Sequence, residues 1–121
     1  MTKSARAFAS LLCAIALVGC RTPMADPVEK SASYQSLGKA DEAFESKRYL
    51  EALPLFDEAI RNELLQADVL AETYVRRAIC KIETGDLEGA VADLEQAERG
   101  GAVGVEYQQA QKTLRQKRSG S

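Results

Sequence analysis

The chain has 121 residues, 16 basic and 18 acidic, for a net charge of −2. That near balance excludes a nucleic-acid binder working by bulk charge. Histidine is absent, which removes a Ser–His or Cys–His nucleophile, a histidine metal site and a histidine pH switch.

The length suits one small domain, and no stretch reaches the roughly 20 apolar residues of a membrane-spanning helix. The first segment reads MTKSARAFASLLCAIALVGC. Lys3 and Arg6 precede an apolar run from Ala7 to Gly19 broken only by Ser10, the pattern of an export signal. An ordinary secretory signal could be cut after Ala16. The ending Leu17-Val18-Gly19-Cys20, however, resembles a bacterial lipobox, in which small residues let the signal peptidase approach and the thiol takes a diacylglyceryl thioether. The resemblance implies that residues 1–19 are a lipoprotein signal peptide and that Cys20 is the lipidation site. Removing Lys3 and Arg6 leaves 14 basic and 18 acidic residues, net −4. Arg21 stands where such lipoproteins carry Asp for retention in the inner membrane. This implies an outer-membrane location facing the periplasm. Residues 20–32, with Pro23 and Pro27 and no apolar period, are predicted to be the lipidated cysteine and a flexible tether. Once Cys13 is removed and Cys20 acylated, Cys80 is the remaining thiol, read as a small buried hydrophobe.

From residue 33 onward the chain repeats itself. Setting Tyr49 on Leu87 places Ala52 on Ala90, Phe56 on Leu94 and Ala59 on Ala97, each pair 38 residues apart. The preceding halves, within 35–59 and 71–97, also match. Leu53, Phe56, Ala59-Ile60 and Leu64 recur at three and four residues, as do Tyr74-Val75, Ala78-Ile79 and Ile82, and Leu87, Ala90-Val91, Leu94 and Ala97. Each series is the apolar stripe of a helix. Pro54 belongs near a helix start, which predicts that its helix begins near Leu50. Gly85-Asp86-Leu87 predicts a tight turn, and Gly100-Gly101 a helix stop.

These stripes resemble the tetratricopeptide repeat, a helix-turn-helix unit of about 34 residues. Tyr74 stands at its early aromatic position, Ala78 at the close approach of its helices, and Ala90, Leu94 and Ala97 on its second helix. The first copy keeps Ala40, Tyr49, Ala52, Phe56 and Ala59, but has Ser36 at the aromatic position and Lys47-Arg48 at the turn. The expected fold is all-α. It comprises two such repeats, about 33–66 and 71–101, and a capping helix at about 102–117, together the domain 33–118. Val103, Tyr107, Ala110 and Leu114 are the predicted stripe of the cap, Tyr107 and Leu114 packing near Val91 and Leu94. The four residues beyond the 34-residue period, about one helical turn, are predicted to lengthen the second helix into 62–68 at Leu64-Leu65.

The resemblance implies a partner-binding groove lined by the first helix of each repeat: Tyr34, Leu37, Asp41 and Phe44, then Glu72, Val75, Ile79 and Ile82. Leu37, Val75, Ile79 and Ile82 suit a core equally well. The Lys and Asn with which some relatives grip a C-terminal carboxylate are replaced by Leu37, Asp41 and Glu72. The basic run KTLRQKR, 112–118, complements a helix dipole. It lacks the interleaved aromatics of a nucleic-acid site, and no nucleic-acid partner is expected. Asp57/Glu58 and Asp93/Glu95 are read as solvated charge. No phosphate loop, metal-ligand spacing or nucleophile beside a base is present, so no catalytic residue, metal or cofactor is expected. The expected function is a non-catalytic, membrane-anchored scaffold of the bacterial envelope. Its partners would be another envelope protein or peptide and, through the lipid, the membrane. The alternative is a structural lipoprotein that self-associates as a homodimer.

Overall fold

The computed structural model describes residues 27–61 and 63–120, with side chains from residue 31. The segment expected to be a signal peptide, the expected lipidation site Cys20 and residues 20–26 of the expected tether lie outside the described residues. Among the described residues five helices follow one another: α1 Pro27–Glu45, α2 Tyr49–Arg61, α3 Ala67–Thr84, α4 Leu87–Arg99 and α5 Val105–Ser119. Among the described residues there is no strand, and no helix is long and apolar enough to cross a membrane.

The expected flexible tether does not extend to residue 32. Pro27 opens α1, because at the first helical position its fixed φ is already right and its missing N–H has no intrahelical acceptor. Residues 27–32 are therefore helical.

Three helix ends share one device. Arg48 N–H donates to Ala43 O at 2.8 Å and Lys47 N–H to Phe44 O at 2.9 Å. Asp86 to Lys81 (2.8 Å) and Gly85 to Ile82 (3.2 Å) repeat the pair, as do Ala102 to Ala97 and Gly101 to Glu98, both 2.9 Å. This is the Schellman closure, which needs a left-handed residue at its centre. Gly85 (φ 93°) and Gly101 (φ 82°) supply it, and so does Lys47 at φ 59°. Glu63, at φ 52°, donates to Ile60 O at 3.0 Å in the same way. Lys47 and Gly85, and Glu63 and Gly101, are each 38 residues apart.

The period thus runs through the turns. Helices α2 and α4 are both 13 residues long, and they begin and end 38 apart. The expected lengthening of the second helix is not seen: α2 stops at Arg61 and α3 begins at Ala67. Residues 63–66 form a loop pinned by Leu65, 7% exposed. The interval from Arg99 to Val105 has the same length. Helix α2 begins at Tyr49, within one residue of the expected Leu50, and Pro54 lies on an exposed face of it. Only one Leu50-to-Pro54 bond of the ladder is lost there.

Burial follows the alignment. Ala40 and Ala78, Ala52 and Ala90, and Ala59 and Ala97 are all fully buried, with Phe56 and Leu94 beside them. Methyl-sized side chains let the paired helices approach closely, and the bulky neighbours fill the remaining space. Two cores result. Leu37, Ala43, Phe56 and Leu65 gather around the first hairpin, joined by Cys80 from α3. Val75, Ile82, Leu94, Ala110 and Leu114 fill the second, with Val91 and Tyr107 against them. Tyr107 and Leu114 thus pack where their spacing predicts. Val103 does not: it precedes α5 and is 89% exposed.

Helix α3 touches each of the other four helices, whereas α1 and α2 make no close backbone approach to α4 or α5. It is the element that holds the molecule together.

Candidate functional site

Two consecutive arginines on α3 divide the molecule into faces. Adjacent residues of a helix point about 100° apart. Arg76 reaches the odd-numbered helices: Asp41 of α1 at 2.8 Å, Glu72 one turn back at 3.0 Å, and Glu106 of α5 at 3.5 Å. Its guanidinium lies 5.6 Å from the centre of the Phe44 ring. Arg77 reaches the even-numbered helices. It forks onto Asp93 of α4 through two bonds of 2.8 and 2.7 Å and meets Asp57 of α2 at 2.9 Å. The Tyr74 ring lies 5.3 Å beneath it.

The expectation of solvated charge fails for Asp93, which is 3% exposed. A carboxylate on the inward stripe of α4 is tolerable because a forked guanidinium and the Lys81 ammonium, at 3.0 Å, meet it there. Burial disfavours the Arg77 cation, but Asp93 and Asp57 outweigh it and raise its pKa. Burial acts on Arg76 in the same sense and is outweighed by Asp41, with Glu106 and Glu72 adding to it. Both arginines are fixed charges.

Beside Arg76 lies a cleft of 450 Å³ between the first half of α3 and the segment Gly100–Tyr107. Ala71 and Val75 are among its apolar walls, and Asp68, Glu72 and Glu106 are its charged residues. No basic side chain lines it. Val103 and Val105, 89% and 82% exposed, stand at its edge.

The eight residues expected in the groove divide into two sets. Leu37, Val75 and Ile82 are buried in the cores. Tyr34, Asp41, Phe44 and Ile79 are half-buried and Glu72 is exposed. Asp41, Phe44 and Glu72 converge on Arg76. Tyr34 turns its hydroxyl toward the loop before α3, accepting from Gln66 N–H at 3.2 Å. Sequence reasoning passed over Arg76, Asp68, Val105 and Glu106. Only Arg76 carried a signal, its i,i+4 spacing from Glu72.

Cys80 is fully buried, and burial, with Glu83 acting in the same sense, pushes its thiol up to about 12. It is a packing residue, and Arg77 and Lys81 are engaged with Asp93 rather than with the sulfur. Among the described residues no group of acidic or cysteine side chains could hold a metal ion.

No protein family, curated protein or solved structure matches this chain.

Proposed function

We propose that the chain is a lipid-anchored, non-catalytic interaction module of the bacterial envelope. In this reading two tetratricopeptide-like units and a closing helix present one face to a partner protein. The carrying observation is the shared face of α1, α3 and α5, where Asp41, Arg76 and Glu106 meet beside an open, partly apolar cleft. The 38-residue spacing of α2 and α4 supports the repeat assignment. The LVGC run supports lipidation at Cys20 and, with Arg21, an outer-membrane site facing the periplasm. Self-association is the second reading, favoured by the exposure of Val103 and Val105 beside the cleft.

Photo-crosslinking in native membranes tests the proposal. A photoreactive residue replacing Glu72 or Val105 is expected to capture one envelope protein. The same residue at Glu58 or Gln96, exposed on α2 and α4, should capture none. Equal capture from both faces would contradict the reading, and capture of a second copy alone would replace it with self-association. Cys20→Ala should leave an unprocessed precursor without labelled fatty acid; normal maturation of that variant would remove the anchor from the account.

A further inference from the structure

Resting on that reading of the odd-helix face, we infer that the α3–α5 cleft takes a peptide segment in which lysine or arginine stands beside aliphatic residues. The charge of the lining carries the inference. Asp68, Glu72 and Glu106 face the cleft, and Lys and Arg are absent from its walls. Arg76, next to it, does not balance them. It is shared among Asp41, Glu72 and Glu106, so the four carboxylates and one guanidinium sum to −3. Asp68, Glu72 and Glu106 are all exposed, and an incoming cation can meet them without being stripped of all its water. The same opening offers apolar surface at Ala71, Val75 and Ala102 and two exposed valines at its edge. An aliphatic side chain seated there leaves water while its cationic neighbour meets the carboxylates, the pairing of apolar core and charged rim found in specific interfaces. An acidic segment would meet like charge throughout. The volume of 450 Å³ suits a few side chains rather than a helix face.

Fluorescence anisotropy with the purified full-length chain tests this, using capped octapeptides that alternate leucine with lysine, with glutamate or with serine. The lysine peptide should bind at least about tenfold more tightly than the other two, and its affinity should fall as salt rises. Asp68→Asn and Val105→Ser alter exposed side chains that carry none of the Arg76 or Arg77 bridges, so both should melt cooperatively, Val105→Ser with the parent and Asp68→Asn slightly below it because it removes the acidic residue from the first turn of α3. Asp68→Asn should weaken the lysine peptide about two- to fivefold and leave the serine peptide unchanged, and Val105→Ser should weaken both. Equal affinity for all three peptides, or no loss in either variant, would overturn the inference. Displacement of the lysine peptide as the chain dimerises at rising concentration would also overturn it, assigning the cleft to a second copy. Capture of an envelope protein from positions 72 and 105 without any charge preference would leave the proposed function standing and this inference refuted. Absence of capture there would remove the function itself.

Discussion

Lys47 and Gly85 do the same work at the same place in two successive hairpins, but one of them is strained. A non-glycine residue in the left-handed region carries roughly 1–2 kcal/mol, and glycine returns part of that through its freer unfolded state. Lys47→Gly should therefore stabilise the protein by about 0.5–1 kcal/mol in urea denaturation. Gly85→Ala should destabilise by about 1 kcal/mol. A methyl group at Gly85 meets nothing within 4 Å, so this loss isolates the backbone effect. Cys80 gives a second residue-scale test. Its folded thiol ionises near 12 rather than 9.0, so the unfolded chain loses this proton first as pH rises. The stability associated with it is intact below about pH 9 and declines above that. Alkylation of Cys80 at pH 8 should be negligible in the folded chain and fast in urea. Fast labelling of the native protein would refute the burial of the sulfur.

Among the elements, α2 and α4 show how far the pattern could be read. The matched alanines, the period of 38, the turn at Gly85 and the packing of Tyr107 and Leu114 were legible, because apolar spacing determines which side of a helix is buried. The loop ends were not. Lys47 and Glu63 are poor markers for left-handed turns, and only their alignment with Gly85 and Gly101 exposes them. Nor was Asp93, since a carboxylate on an apolar stripe reads as solvated until a partner on another helix is seen. The groove was half legible. Helical spacing places Asp41, Phe44 and Glu72 near one another, but nothing local predicts that Arg76 joins them to Glu106 of α5. Two substitutions probe this scale. Ala90→Leu should strain the α3–α4 contact by roughly 1–3 kcal/mol, while Gln96→Leu, exposed on α4, should leave the melt unchanged. Asp93→Leu leaves Arg77 and Lys81 facing an apolar site and should destabilise by about 3 kcal/mol. Combined with Arg77→Met it should lose less, a difference that a double-mutant cycle reads directly.

At the scale of the whole molecule, α3 stands between two cores and is closed on its far side by α5. The closing helix has two roles that cannot be separated. Its Ala110 and Leu114 complete the second core, and its Glu106 with the preceding loop forms one wall of the cleft. Burying Leu114 contributes roughly 1.5–3 kcal/mol, and the half-buried Tyr107 adds less. A domain of this size has about 5–15 kcal/mol in total. The molecule without α5 would expose Val75, Ile82 and Leu94 to water. The most direct measurement is the thermal melt of the chain ended after Gly101, followed beside the full chain by circular dichroism. A broad, strongly lowered transition is the expected result. A cooperative melt at the temperature of the full chain would contradict the account: α5 would then be an appendage, and the face built on it no part of a folded site.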